Sequence, residues 1–570
     1  MNRIISTIKV LILSGILLTA TSCEDMMSTD SNRFMEQDDN LINSPNDTVF
    51  SVLGILSKVQ KIADKYVLMG ELRADLLEVT NKTAYDLRNL SNHNIDVATS
   101  EFSDTRDFYA IINNCNYYIN RVDTNITVRV DKPFVRELLA VRTIRAWTYL
   151  QLGLNYGKVR YFDKPVLSVD DLNSNYTELE TDQLIDTLIA DIQALNPLTN
   201  NVLPTYTGNS LFINPLFLMG DLYLWKASRS QLQSDFENAA FYYSKLIEKG
   251  YLISPSYSIK WYNDRYEVRL DSWSGLFLNN SNTGEMISII QTAEADHSGI
   301  ADQPLTVSKL FTMSKNQEIT TSQAYKTLSD EQVYCFREGA GPIKYTTGDL
   351  RMYGLTDNLY SVNNNNNEPV EVISKYENRS TWIYRSALLY LRYAEAVNRA
   401  GKPSLAFAVL KYGLNATNMA NPTRISPFEL ADAKPYVTIF SNEKFNENVG
   451  IHSRGSGNSE VNVSFVIPDY TRFVTLKDIS GNDSIVVSTD PADLALAKSD
   501  SILFVENSIS DELALETGLE GNRFHDLMRI SRHRNDPAYL AKKVAAKHAD
   551  NYNHYLNLLS DPQKWYLPTR

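Results

Sequence analysis

A pattern typical of closely packed helix pairs occurs twice in this 570-residue chain and constrains its fold more than any other feature. In each copy, apolar residues at helical intervals surround a small residue, and a second small residue follows further along the chain. The copies read Tyr390-x2-Tyr393-Ala394-x2-Val397 with Ala406-x3-Leu410, and Leu216-x2-Met219-Gly220-x2-Tyr223 with Ala239-x3-Tyr243. Because the small residues let two helix backbones approach closely, each copy predicts a helical hairpin.

The spacing resembles the tetratricopeptide helix pair, which has W-x2-L-G-x2-Y on its first helix and A-x3-F on its second. Gly220 and Tyr223 fit that consensus, and Gly401-Lys402-Pro403 supplies the turn of the other copy. The Leu216 copy has seven more residues between its two signatures, which predicts a longer interhelical loop. Either copy alone would also fit an unrelated amphipathic hairpin, whereas two copies favour a repeat.

Further helices are predicted before the first copy. Apolar residues recur at i, i+3, i+4 spacing from Phe108 to Val122, and a second long helix is predicted from Pro133 to Tyr156. The break between them, around Asp123–Asp131, is short, so the two helices should form an antiparallel hairpin. Another helix is predicted across Thr181–Leu195.

Two long stretches interrupt the helical pattern. Tyr251–Ile373 and Pro422–Asn507 are rich in aromatic and small polar residues and contain loop clusters such as Arg454–Asn458. Loops carried on a rigid frame are where binding residues usually lie. The predicted fold is mainly α, with tetratricopeptide-type helix pairs packed against a largely irregular, loop-rich half with a few short strands. The predicted body, residues 46–570, has helical repeats at about 46–250, 380–420 and 508–558, and loop-rich insertions at about 251–375 and 422–507.

The first 45 residues carry signals for export. Residues 1–22 combine the basic Arg3 and Lys9 with a short apolar run and small residues, which is the anatomy of a secretory signal peptide. The apolar run is shorter than the roughly 20 residues needed to span a bilayer. Cys23 follows directly and looks like the lipidated first residue of a bacterial lipoprotein; the alternative is a chance Cys after an ordinary signal peptide. Residues 23–45 then form a polar tether.

The net charge argues against one class of partner, and the few cysteines limit the possible disulfides. The formal net charge of −13 argues against nucleic acid, whose phosphates a negative field repels. Beyond Cys23 the chain has only Cys115 and Cys335. Cys115 lies on an apolar stripe and is predicted to be a buried thiol, while a disulfide between the two remains open. No later apolar segment approaches the length that spans a bilayer.

Several segments resemble the SusD/RagB family of Bacteroidetes outer-membrane lipoproteins. The best matched are Arg142–Gly157, Leu388–Gly401 and Glu520–Arg529. Gly348-Asp349-Leu350-Arg351 also resembles the family's Asp-Pro-Arg element, with Leu350 in place of Pro. Glu24 and Asp25, directly after Cys23, resemble the acidic export signal of surface-exposed lipoproteins. The resemblance covers nearly the whole chain after Cys23, and the order and spacing of its segments carry it.

This resemblance implies four tetratricopeptide-like helix pairs packed against a mostly irregular second half. It implies a protein on the outer membrane, lipid-anchored through Cys23 and facing the cell exterior, that acts as the lid of a SusC-type TonB-dependent transporter. The implied ligand is an oligosaccharide or polysaccharide, captured at the surface and delivered for import. One branch of the family handles peptides, so an oligopeptide-binding lid of a RagA-type transporter is the alternative.

Aromatic and polar residues in loop-like sequence are the candidate ligand contacts. Sugars present flat C–H faces that stack on Trp and Tyr, and hydroxyl edges that hydrogen-bond to Asn, Asp and Arg. One cluster of candidates comprises Tyr257, Trp261, Tyr262, Tyr266 and Trp273. The other comprises Arg73, Asp75, Tyr85, Asn92 and His93, because in the resembled family the loops after the first helix contribute to the glycan site. The alternative for each is a packing or solvated-loop role, which is preferred for Trp147, Tyr393 and Arg523–Asp526.

The sequence carries no recognisable catalytic or metal-binding motif. It lacks H-E-x-x-H, G-x-S-x-G and G-x-x-x-x-G-K-[ST], and its seven His show no metal-ligand spacing. Its 68 Asp and Glu are scattered, so they do not by themselves indicate a glycosidase. The sequence therefore predicts a binding protein without cofactor, metal or enzymatic activity. A glycoside hydrolase ranks third, behind glycan-binding and peptide-binding proteins.

Overall fold

The structure is a computed structural model of the chain. It describes residues 45–127, 132–172, 176–200, 209–262, 269–278, 284–291, 307–312, 318–337, 340–360, 369–376, 380–477 and 483–570. The predicted signal peptide, Cys23, the tether up to residue 44 and Tyr266 lie outside the described residues.

Helices make up most of the described chain, which confirms the predicted mainly α fold. The α-helices are α1 (Pro45–Gln60), α2 (Ala63–Glu71), α3 (Tyr85–Ser91), α4 (Arg106–Arg121), α5 (Pro133–Tyr156), α6 (Val169–Leu172), α7 (Thr181–Gln193), α8 (Pro215–Ser230), α9 (Gln233–Ile247), α10 (Gly275–Leu278), α11 (Val307–Thr312), α12 (Gln323–Asp330), α13 (Arg351–Leu355), α14 (Ser386–Arg399), α15 (Pro403–Lys411), α16 (Ala416–Met419), α17 (Pro427–Leu430), α18 (Pro435–Thr438), α19 (Pro491–Thr517), α20 (Arg523–Arg534), α21 (Pro537–Lys547) and α22 (Tyr552–Leu559).

The described strands are short. They are β1 (Leu77–Val79), β2 (Lys158–Tyr161), β3 (Thr177–Glu180), β4 (Ile259–Trp261), β5 (Arg269–Asp271), β6 (Met286–Gln291), β7 (Ile319–Thr321), β8 (Val333–Arg337), β9 (Ile343–Thr347), β10 (Thr356–Tyr360), β11 (Pro369–Ile373), β12 (Ser380–Arg385), β13 (Phe473–Lys477) and β14 (Asp483–Val487). They pair in antiparallel couples. The couples β2–β3, β4–β5, β8–β9, β10–β11 and β13–β14 join consecutive strands, whereas β1–β7 and β6–β12 join distant segments.

The long helices pack on one another in chain order. Helix α4 lies against α5, α5 against α7, α7 against α8 and α8 against α9, and then α9 lies against α14 and α14 against α15. The predicted α4–α5 hairpin is confirmed, and α5 spans the predicted residues Pro133–Tyr156. Helix α19 packs on both α14 and α15, and the C-terminal helices α20, α21 and α22 follow it in series. This helical frame carries the loop-rich segments.

Both helix-pair motifs form hairpins, α8–α9 and α14–α15, as predicted. The expected longer loop in the first pair is wrong, because α8 and α9 are joined by only Gln231 and Leu232. The seven additional residues instead extend the two helices beyond the signature positions. In the second pair the turn contains Gly401, whose φ of 87° is easily adopted only by glycine, and α15 begins at Pro403.

Gly220 shows why a small residue is needed at the contact of α8 and α9. A Cβ at this position would lie 2.3 Å from Cε1 of Tyr243, a ring that is fully buried on α9. Gly54 in α1 provides a contrast, since a Cβ there would meet nothing within 4 Å.

Gly220→Ala should therefore destabilise the protein by about 1–3 kcal/mol, the usual cost of overpacking a core. Gly54→Ala is the matched control and should leave stability unchanged or raise it by up to about 1 kcal/mol, because alanine favours an open helical position. Chemical denaturation of the two variants measures both effects. Equal stability of the two variants would contradict the tight helix contact.

The Gly348–Arg351 segment, where Leu350 replaces the expected Pro, forms a turn that links the two loop-rich insertions. The Asp349 carboxylate accepts the Arg351 backbone N–H at 2.9 Å and also binds the Arg351 guanidinium at 2.9 and 3.0 Å. The Leu350 N–H donates to the carbonyl of Gly455 at 2.9 Å. Proline has no N–H, so Leu350 allows a hydrogen bond between the insertions that proline could not make.

The residues assigned to packing are buried. Trp147, Tyr393 and Phe524 are at most 1% exposed, and the charged neighbours of Phe524 bind other buried groups of the frame. Cys115 and Cys335 are both buried free thiols, which settles the open question of a disulfide, and burial raises the pKa of Cys115 to about 12. Among the described helices, none has the length and apolar character needed to cross a bilayer.

Candidate functional site

A pocket of about 520 Å³ opens where the two loop-rich insertions meet. Its lining residues from the first insertion are Pro255, Tyr257, Ser258, Lys260, Trp261, Tyr334, Phe336 and Arg337, and those from the second are Val449, Ser453, Arg454, Gly457 and Asn458. Both insertions were predicted to carry binding residues, and the pocket brings segments of the two together.

Strand β4 and the turn before it place two predicted aromatic residues in the pocket, Tyr257 and Trp261. Both are half-buried, while Ile259 between them is 1% exposed and anchors the strand in the core. The Trp261 backbone N–H donates to the hydroxyl of Tyr334 at 3.2 Å. Because Tyr334 is itself buried, this hydrogen bond ties the aromatic edge of the pocket to the neighbouring hairpin.

The β8–β9 hairpin forms the second wall. Phe336 is half-buried and Arg337 is exposed, at the end of β8. The hairpin is joined to the second insertion through Cys335, whose N–H donates to the Ser456 carbonyl at 3.0 Å and whose carbonyl accepts the Asn458 N–H at 2.6 Å.

Gly457 makes this close backbone approach feasible. Its φ is 76°, in the left-handed region, and a Cβ on it would lie 2.2 Å from the carbonyl oxygen of Cys335. Any other residue would therefore be strained and would push the two walls apart. The neighbouring Asn458, which lines the pocket, depends on this approach for its position.

The third wall, Val449–Arg454, is fastened to the first insertion at one end and to helix α19 at the other. The Val449 N–H donates to the carbonyl of Ile253 at 3.1 Å. At the other end the Arg454 guanidinium donates to Glu516 at 2.8 Å and pairs with Glu285. Arg454 is 1% exposed, so it is a rigid part of the wall rather than a mobile surface arginine.

Beneath this wall lies a buried ionic cluster, which we call the Glu516 cluster: Glu285, Arg351, Arg385, Arg454 and Glu516. The Glu516 carboxylate on α19 binds the guanidinium groups of Arg454, Arg385 and Arg351 at 2.8, 2.9 and 3.0 Å. Burial alone would raise the pKa of Glu516, but the three guanidinium groups hold it well below its usual range. The carboxylate is therefore charged at every pH at which the protein would work, and the cluster joins both insertions to α19.

The described pocket lining combines aromatic, neutral polar and cationic side chains. It offers aromatic faces, an amide at Asn458, a hydroxyl at Ser453 and the cations Lys260 and Arg337, but no Asp or Glu occurs among its described residues. Among the described lining residues there is thus no pair of carboxylates of the kind that a glycosidase uses. Across the described residues, no group of three or more His, Cys, Asp or Glu is arranged to hold a metal ion.

Other predicted residues are buried in the core. Trp273 is 0% exposed, packs edge-on against Phe277 with ring centroids 5.4 Å apart, and donates from Nε1 to Glu516 at 3.3 Å. Arg73, also 0% exposed, lies over the Phe524 ring at 3.9 Å, and burial lowers its pKa to about 9. These positions correct the expectation that Trp273 and Arg73 lie in exposed loops.

Asp75 is buried as well and binds Arg523 with two hydrogen bonds of 2.7 Å. Burial opposes ionisation of Asp75, yet the attraction of Arg523 outweighs it and lowers the pKa of the carboxyl group below its usual value. Because Arg73 and Asp75 are buried in the core, both are unsuited to ligand contact.

The remaining candidates do not line the pocket. Tyr85 is 71% exposed at the start of α3, and Asn92 and His93 follow that helix half-buried. His93 adopts a φ of 53° and places Nε2 3.0 Å from the carbonyl oxygen of Arg73. Tyr262 is 48% exposed next to Trp261 but outside the lining, and Tyr266 lies beyond the described residues.

The pocket residues that sequence reasoning missed are Lys260, Tyr334, Phe336, Arg337 and Asn458. Lys260 is adjacent to the predicted Trp261, and Asn458 belongs to the loop cluster already recognised in the sequence. Exposure does not alternate along β8, so no amphipathic pattern in the sequence marks Phe336 and Arg337 as pocket residues.

A second cavity, of about 590 Å³, lies at the ends of α5, α7 and α20. Its charged groups are paired with one another, Arg532 with Asp182 at 2.5 Å and Lys158 with Glu180 at 3.8 Å. Its tryptophan, Trp565, is only 2% exposed. This cavity therefore offers fewer unoccupied groups to a ligand than the pocket between the insertions.

Comparison with solved structures shows the fold. A SusD homologue from Bacteroides thetaiotaomicron VPI-5482 is 15% identical and has a TM-score of 0.52, over 94% of this chain and 92% of the other. NanU of B. fragilis is 14% identical with a TM-score of 0.53, covering 90% and 94% of the two chains. A SusD superfamily protein from Bacteroides vulgatus ATCC 8482 is 14% identical with a TM-score of 0.51, covering 86% and 89%. No protein-family model and no curated protein sequence matches the chain.

Proposed function

We propose that this chain, which has a SusD-like fold, is a nutrient-binding protein that captures oligosaccharides in the pocket between its two insertions. The observation that carries the proposal is the lining itself, where Trp261, Tyr257 and Phe336 surround a cavity that is also lined by Asn458 and by three cationic side chains. The cavity volume of about 520 Å³ falls within the roughly 300–1,000 Å³ of small-molecule sites and suits one or two sugar rings.

The lining provides both kinds of contact that a sugar needs. Aromatic rings offer flat apolar faces on which the C–H face of a pyranose can stack. Amide, hydroxyl and cationic groups can hydrogen-bond to the hydroxyl edge of the same ring. The walls are held by backbone hydrogen bonds and by the Glu516 cluster, so little conformational entropy would be lost on binding.

The location and partner belong to the same proposal. The N-terminal sequence supports a lipid anchor at Cys23 on the outer membrane, with the polar tether holding the folded body at the cell exterior. The proposed partner is a SusC-type TonB-dependent transporter. The stacked helices α4–α9 offer the broad, rigid surface that suits such a protein contact. Release of the ligand unchanged is part of the proposal, since the lining lacks described carboxylates for hydrolysis.

A ligand screen tests this proposal directly. The purified protein is titrated calorimetrically with plant, microbial and host oligosaccharides and, in parallel, with peptide mixtures, and the products are analysed by chromatography. We expect saturable binding of an oligosaccharide that is recovered intact. Binding confined to peptides would replace the proposal with the oligopeptide alternative, and cleavage of the bound glycan would contradict the non-enzymatic role.

A further inference from the structure

The described lining of the pocket between the insertions carries positive charge and no negative charge. Across the chain acidic residues outnumber basic ones by 68 to 55, yet the described lining contains Lys260, Arg337 and Arg454 and no Asp or Glu. A positive lining is not expected from the acidic composition of the protein. We therefore relate the positive charge to the ligand that the pocket binds.

Arg454 does not contribute free charge to the pocket. Its guanidinium is compensated by Glu516 at 2.8 Å and by Glu285, both of which are buried behind the wall. The role of Arg454 is to shape the wall, and the uncompensated charge must come from the other two cations.

Lys260 and Arg337 are both exposed and sit on separate strands that meet at the pocket. Within the described part of the chain, neither forms an ion pair with a carboxylate, in contrast to exposed cations elsewhere such as Arg229, which binds Asp186 at 2.9 Å. Lys344 lies close by, with Nζ 5.7 Å from the centre of the Phe336 ring. Positive charge thus borders the aromatic lining on the side of the β8–β9 hairpin.

We infer that the pocket binds an acidic glycan, one whose sugar ring carries a carboxylate or a sulfate ester. This inference rests on the proposed function and adds the substrate class. The ring would stack on the aromatic lining while its anionic group is held by Arg337, whose planar guanidinium suits two-pronged hydrogen bonding to either oxyanion, and by Lys260 as a point charge. Among the described residues, a neutral sugar would leave both cations without an anionic partner.

The inference is tested with oligosaccharide pairs that differ only in charge. Oligogalacturonate is compared with its carboxyl-reduced, neutral form, and a sulfated galactan oligosaccharide with its desulfated form, by calorimetric titration of the intact protein. We expect the charged member of at least one pair to bind about tenfold or more tightly than its neutral counterpart. The arm in which this occurs identifies the anion as carboxylate or sulfate. Its affinity should also fall as salt is raised, because screening acts on exposed charges.

Variants of the two cations provide the second test. Lys260→Gln with Arg337→Gln should reduce affinity for the charged glycan about tenfold or more and leave the weaker binding of the neutral glycan unchanged. Lys542→Gln, an exposed lysine on α21 outside the pocket, is the matched control and should change neither affinity. The thermal unfolding midpoint of the double variant should equal that of the unmodified protein, since both side chains are exposed.

The outcomes separate this inference from the proposed function. If only neutral glycans bind, or if the double variant binds charged glycans as well as the unmodified protein, the acidic-glycan inference is overturned and glycan capture stands. If no member of either pair binds and the wider screen finds only peptides, both are overturned.

Discussion

Glu516→Ala should lower the free energy of unfolding by about 3–5 kcal/mol, the cost typical of removing one partner of a buried ion pair. The carboxylate is 0% exposed and is shared by three guanidinium groups, so its loss leaves buried positive charge without compensation. Trp273 would also lose the acceptor of its indole N–H. The measurement is equilibrium unfolding in denaturant, followed by far-ultraviolet circular dichroism.

Asp500→Ala on the same helix is the matched control. Asp500 pairs with Arg472 at the surface, where the two side chains are 28% and 42% exposed, and such exposed pairs contribute about 0–1 kcal/mol. If Glu516→Ala does not accumulate in folded form, Glu516→Gln can be measured instead, because it keeps the side-chain length and one acceptor. A loss for the Glu516 variants no larger than for Asp500→Ala would contradict the importance of the cluster.

The helical frame could be predicted because its signals are local. Apolar spacing located α5 at its observed limits, and Gly220 and Gly401 marked a helix contact and a turn. The length of the loop between α8 and α9 could not be predicted, because the signature residues lie farther from the interhelical turn in α8–α9 than in α14–α15. Spacing between signatures therefore measures helix length and loop length together.

Some candidate site residues proved to be core residues because their partners lie far away in the sequence. Trp261 and Trp273 both occur in polar, loop-like sequence, yet Trp273 is buried against a glutamate 243 residues away. Asp75 is likewise paired with Arg523, 448 positions later. A single sequence contains no signal for such partners, so the choice between packing and ligand contact depends on tertiary structure.

The contact between the two insertions could also not be predicted from local sequence patterns. The pocket exists because Cys335 and Gly457 approach through backbone hydrogen bonds, and because the Leu350 N–H reaches Gly455. The composition of each insertion predicts binding residues, but no local pattern pairs one insertion with the other. The positive sign of the lining follows from that pairing, since Lys260 and Arg337 are 77 residues apart in sequence.

Trp273→Ala should mainly lower stability, whereas Trp261→Ala should mainly weaken ligand binding. Trp273 is fully buried, and truncating a core tryptophan costs about 3–5 kcal/mol of folding free energy. Trp261 is half-buried at the pocket, so its truncation should cost about 1 kcal/mol of stability, an ordinary value for a substitution. A stacked aromatic ring contributes about 0.5–1.5 kcal/mol beyond area burial, so Trp261→Ala should weaken glycan binding about threefold to tenfold.

Thermal unfolding and calorimetric titration of each variant, with the oligosaccharide identified by the screen, distinguish the two roles. The folded fraction of Trp273→Ala should bind with nearly unchanged affinity, because Trp273 is absent from the described pocket lining and its indole N–H binds Glu516 behind the wall. Trp261→Ala should unfold close to the unmodified protein and bind more weakly. If Trp261→Ala instead unfolds far earlier and the protein that remains folded binds normally, then Trp261 is a core residue and the site must be sought among Tyr85, Asn92 and His93.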